Sequence, residues 1–136
     1  MRFWISGLVL SVVAFVFSFI VHGVLLGGDY SAMQHLYRIP EEAHGYFHFM
    51  VLAHLLFGFA LTWIYRQGVD ANKSAIEQGI RFGVAIALLM TIPTYLIYYA
   101  VQPLPGAMVA KQIVFDTVAV VLLGIIAALL NPPIRA

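Results

Sequence analysis

No cysteine occurs among the 136 residues. That absence excludes disulfides, thiolate metal sites, iron–sulfur clusters and covalent attachment of a c-type haem, so a metal would have to be held by His, carboxylate, Met or Tyr. Charge is scarce as well: charged residues make up 10% of the chain against 62% hydrophobic, with a mean hydropathy of +0.95. This is too little polar material to cover a soluble globule. A net charge of +1 gives no basic surface for nucleic acid, which is not expected as a partner. Nucleophile-elbow, phosphate-loop and zinc-protease motifs are missing, and one His-x-x-x-His cannot supply the several histidine boxes of a diiron membrane oxygenase. Neither an autonomous hydrolase nor an ATP-driven pump is expected.

What the chain does contain is long apolar runs. About 20 helical residues cross a hydrocarbon core of about 30 Å, and four stretches qualify: Phe3 to Leu26, Ala43 to Tyr65, Ile76 to Val101 and Ala107 to Leu130. The short alternating segments of barrel strands do not occur. The first run is longer than the core of a secretory signal and is expected to stay in the protein. The expected fold is all-α, an integral membrane protein forming one four-transmembrane-helix bundle over residues 1–136, in a bacterial inner (cytoplasmic) membrane. Arg2, Arg66, Lys73, Arg81 and Arg135 fall on one side and only Arg38 and Lys111 on the other. Basic residues are retained in the cytoplasm, so both termini are expected there. Trp4 and Trp63 then mark the inner interface, and Tyr30, Tyr37, Tyr46, Tyr98 and Tyr99 the outer one.

Gly27 to Glu42 is the longest connection, and Pro40-Glu41-Glu42 suits the start of the second helix, where proline is tolerated and carboxylates meet the positive end of the helix dipole. The short polar stretch from Arg66 to Ala75 predicts that the second and third helices are antiparallel neighbours. Gly7, Ser11, Ala14 and Ser18 form a small-residue stripe leading to His22, and Gly79, Gly83 and Ala87 form another. Such stripes mark faces on which membrane helices approach closely.

All five histidines lie between residues 22 and 54, and a histidine in a lipid-buried helix is costly unless it faces a partner, a cofactor or water. Glu41, His44 and His48, spaced three and four apart, are a candidate zinc or copper half-site. His22 and His48 fall at similar depth on neighbouring helices, as two axial ligands of a b-type haem would, with Tyr98 beside them. His54 and Asp116 are candidate buried polar groups in a pathway or an interhelical hydrogen bond, and Gln112 is the nearest local partner of Asp116. Pro93 removes a backbone bond and frees the Leu89 carbonyl; the kink is expected to open an outer-side pocket lined by His22, His48, Tyr98 and Asp116. Three functions fit. The first is an accessory or scaffold subunit that packs on other membrane subunits or on itself. The second is a haem- or metal-binding redox bundle, and the third a small ion or solute transporter.

Overall fold

The computed structural model describes residues 1–133. They are helical, with no strand among them. Four helices are long and apolar enough to cross a membrane: Arg2–Leu25, Phe47–Arg66, Ala75–Val101 and Gly106–Leu130, the first to fourth spans below. Arg135, one of the five basic residues assigned to the inner side, lies outside the described residues.

The second span begins at Phe47, four residues later than expected. Pro40, Glu41 and Glu42 do start a helix, but it is a separate short one, Pro40–Gly45. Tyr46, at φ −104° and ψ 3°, interrupts the helical backbone between it and the span.

The expected pairing of the second and third spans is not what forms. The first span packs on the second, the third on the fourth, and the two pairs join where the first meets the fourth. Glycines explain the choice. A Cβ on Gly79 or Gly83 would lie 2.5 Å from the Cα of Ile125 or Val121, and one on Gly124 would strike the Gly79 carbonyl and the Gly83 backbone. The third and fourth spans therefore meet backbone to backbone. Gly58 is packed as tightly against Ser11 and the Gly7 carbonyl, which joins the second span to the first. The Ser11 and Thr62 hydroxyls donate to the carbonyls of Gly7 and Gly58 at 2.8 and 2.9 Å, and Ser11 also lies 3.4 Å from the Leu55 carbonyl across the interface.

Between these pairs lies a core of Leu10, Ala14, Leu61, Tyr65, Ile86, Ala87, Val120, Leu123, Ala127 and Ala128. The second and third spans touch through the Tyr65 and Phe82 rings, 5.3 Å apart, near the Arg66–Ser74 connection. That connection is stapled by Gln78, whose amide donates to the carbonyls of Asp70 and Lys73 and accepts from the Asp70 N–H. Ser74 caps the third span by accepting from the Glu77 N–H at 3.1 Å. Toward their other ends the second and third spans do not pack on each other, and a cleft is left between them.

Gly83→Leu should lower the thermal midpoint in detergent by several degrees, because overpacking costs about 1–3 kcal/mol. Leu88→Ile, on a side chain 62% exposed, should leave it within a degree or so of wild type. Equal midpoints would remove glycine packing as the organising contact.

Candidate functional site

Two turns of the spans are wound as π-helix rather than α-helix, Phe19–Leu25 in the first and Ala87–Thr91 in the third. In the first the Leu26 N–H reaches back five residues to the Val21 carbonyl at 2.9 Å. The second precedes Pro93, which has no N–H to return to the preceding turn. Such turns collect at functional sites because they redirect side chains without ending a helix. Both border the same cavity, of about 380 Å³, in the cleft between the second and third spans. Phe17, Phe57, Tyr95 and Tyr98 give it aromatic walls, and His22, His54, Thr91, Thr94 and Asp116 its polar groups. Among the described residues no Lys or Arg lines it.

Asp116 is the centre of the polar groups. Its Oδ2 accepts from the Tyr95 hydroxyl and lies 3.3 Å from His22 Nε2. His22 Nδ1 is 2.8 Å from the Tyr30 hydroxyl, to which Gln112 Nε2 donates at 2.9 Å. A lone pair facing a carboxylate would be repelled, so Nε2 carries the hydrogen. With the ring carrying that one hydrogen, Nδ1 accepts and Tyr30 donates to it. The chain of bonds runs from Gln112 to Tyr30 to His22 to Asp116, with Tyr95 donating from the other side. Two donors on one oxygen suit an ionised carboxylate. Asp116 Oδ1 has no partner among the described residues, and neither does the buried Oε1 of Gln112.

Tyr30 comes from the connection between the first two spans and is held in place by what surrounds it. Its short helix, Gly27–Ser31, is tied to the fourth span by Lys111 Nζ and Asp29 Oδ1, 3.0 Å apart. Met33 then packs with Leu104, Met108 and Val109 in a small second core that also takes the Tyr30 and Tyr95 rings. Burial raises the Tyr30 hydroxyl above the ordinary tyrosine range, and the Gln112 hydrogen bond offsets part of that rise. Tyr30 therefore stays a neutral donor.

Of the residues singled out in the sequence, His22, Tyr98, Asp116 and His54 line this cavity and His48 does not. His48 is exposed, with its ring centroid 4.2 Å from that of Phe49. His22 has both ring nitrogens on protein partners, Tyr30 and Asp116, which leaves neither for a haem iron. Glu41, His44 and His48 are all exposed, and the first two sit on the short helix ahead of the break at Tyr46. The i, i+3 and i, i+4 spacing consequently does not bring them to one helix face. Among the described residues no three His, Asp or Glu side chains come close enough to hold a metal ion.

Gln112 binds Tyr30 rather than Asp116, the local partner its spacing suggested. Tyr30 and Tyr95 were legible only as an interfacial aromatic and as a neighbour of Pro93; no sequence signal pairs either with Asp116. His54 Nδ1 lies 2.7 Å from the Met50 carbonyl and must donate to it. In the neutral ring Nε2 is left as an acceptor, and it has no partner among the described residues.

Asp116→Ala strands the Tyr95 hydroxyl and the His22 N–H, each costing about 1–3 kcal/mol when buried without a partner. It should depress the thermal midpoint clearly. Lys111→Ala removes an ion pair with the lysine half exposed, worth about 0–1 kcal/mol, and should hardly move it. The reverse order would show that the network does not hold the cleft together.

No protein-family model, curated protein or solved structure matches this chain.

Proposed function

We propose that this is a solute-binding protein of the transporter class: a four-helix membrane bundle, both termini cytoplasmic, whose cleft takes a small lipophilic amine. The observation that carries the reading is Asp116 itself. Its Oδ2 is used by two internal donors while Oδ1 has no partner among the described residues and borders an aromatic-walled cavity. A carboxylate in surroundings of low dielectric attracts a cation strongly, and aromatic faces add to the attraction. His54 Nε2 and the Thr91, Thr94 and Tyr98 hydroxyls can all accept from a bound N–H. Among the described residues no Lys or Arg lines the cavity, so an anion would meet no permanent positive charge there. Ala53, Met90, Thr94 and Tyr98 are exposed lining residues, so a ligand dissolved in the bilayer reaches the cavity sideways between the second and third spans.

The test is equilibrium binding of a radiolabelled phenylalkylamine to the protein in nanodiscs. Asp116→Asn should weaken binding at least tenfold and His35→Ala leave it unchanged. An alcohol of the same carbon skeleton should bind more weakly than the amine. Equal affinity of wild type and Asp116→Asn would end the amine reading.

A second reading, an accessory or scaffold subunit, draws on the unpaired faces of the second and third spans, which a helix of another subunit or of a second copy would complete. Native mass spectrometry from membranes would then give a fixed stoichiometry, and the amine would not bind.

The orientation follows from the basic bias, supported by the recess of about 310 Å³ where Arg2 and Arg66 meet Asn131 and Pro132 at one end of the molecule. A single cysteine at Lys73 should be labelled only after the membrane is permeabilised. Labelling from outside in intact cells would reverse the topology.

A further inference from the structure

We infer that Tyr30 and His22 form a proton route that loads Asp116 from the side of the membrane faced by the Gly27–Gly45 connection. The five side chains make an unbroken series of contacts: Gln112 on Tyr30, Tyr30 on His22, His22 on Asp116 and Tyr95 on Asp116. Tyr30 is itself partly exposed and follows Asp29, whose ion-pair partner Lys111 is half exposed, so its end of the series is the one nearer water. Beyond Asp116 the series meets the cleft, which opens between apolar spans. The other titratable groups facing that cleft, His54 and Tyr98, make no hydrogen bond to Asp116 among the described residues.

Every proton in the transfer has a place to go. Tyr30 passes its hydroxyl hydrogen to His22 Nδ1 and takes a replacement from water. His22 releases the hydrogen on Nε2 to Asp116 Oδ2. The ring ends neutral as the other tautomer, Tyr30 is again a phenol, and Asp116 is a carboxylic acid, so one proton has moved inward. In that state His22 Nδ1–H donates to the Tyr30 oxygen and the new Tyr30 hydrogen must turn away from the ring. Half a turn of the Gln112 amide presents Oε1 to it. That oxygen is one of two buried side-chain oxygens without a partner among the described residues, the other being Thr117 Oγ1, and Gln112 is 4% exposed. Its lack of a partner is accounted for if the network has two hydrogen-bonded forms and the structure holds the ionised one.

The route uses the carboxylate assigned to amine binding but does not depend on an amine. The experiment is infrared spectroscopy of the protein reconstituted in one orientation in vesicles, following the carboxylic-acid carbonyl stretch after an acid step on the connection side. Asp116→Asn identifies the band. Wild type should gain it promptly, and Tyr30→Phe, which keeps the ring, should gain it at least tenfold more slowly. Gln112→Leu, which cannot accept from the reversed Tyr30, should need a lower pH to reach half its amplitude. Thermal midpoints of both variants establish that they are folded, and either one alone decides the matter.

A Tyr30→Phe rate equal to wild type would overturn the proposal, as would a Gln112→Leu titration equal to wild type, or faster loading from the opposite side. Absence of a protonated Asp116 band at any pH the fold survives would do the same. Loss of amine binding with the band kinetics intact would leave the route standing and remove only the amine.

Discussion

A carboxyl group about midway along an apolar helix has to be neutralised or supplied with donors, because leaving it ionised and unpaired in a medium of low dielectric costs several kcal/mol. In this protein Asp116 is supplied with donors, and much of the local architecture is arranged to bring them. Tyr95 comes from the third span beyond its proline and π turn, and His22 from the π turn that ends the first span. Tyr30 descends from a connection pinned by the Asp29–Lys111 ion pair and by the packing of Met33. Two segments thus converge on one oxygen of one side chain, and a third, carrying Tyr30, holds the His22 ring from behind. Removing that oxygen would leave donors without acceptors rather than merely an empty space.

The cleft exists because of where the backbones meet. Glycine faces draw the third span onto the fourth and the second onto the first, and helices that close cannot also be drawn together elsewhere. The Gln78 staple in the Arg66–Ser74 connection keeps the second and third spans as sequence neighbours without making them packed partners. Their halves away from that connection therefore leave a gap whose floor is the Asp116 network and whose walls are aromatic. Packing in one half of the molecule and a polar site in the other are two results of the same distribution of small residues.

Much of this was legible from residue type and spacing alone. Length and hydropathy located the four spans to within a few residues, since the thickness of a bilayer fixes how many apolar residues a helix needs. The two small-residue stripes identified faces that pack, and Pro93 marked the turn where the third span departs from regular geometry. His22, His54, Tyr98 and Asp116 stood out because polar side chains in apolar runs are few. His48 stood out by the same rule, yet it lies in the first turn of a span rather than deep in one, where an exposed imidazole costs little.

What the sequence by itself determined is the set of spans and the short roster of residues that lipid would penalise, because both depend on composition over a single helix. Which helices pair, and which side chains meet, was decided by tertiary structure. The His44–His48 spacing implies a shared face only if the helix continues through Tyr46, and it does not. Tyr30 and Asp116 are far apart in the chain, and Gln112 lies one turn from Asp116 but binds Tyr30. Those contacts depend on the extra residue in each π turn and on backbone approach at Gly79, Gly83 and Gly124. Both are cooperative consequences of packing several helices at once, and no periodicity within one of them records the result.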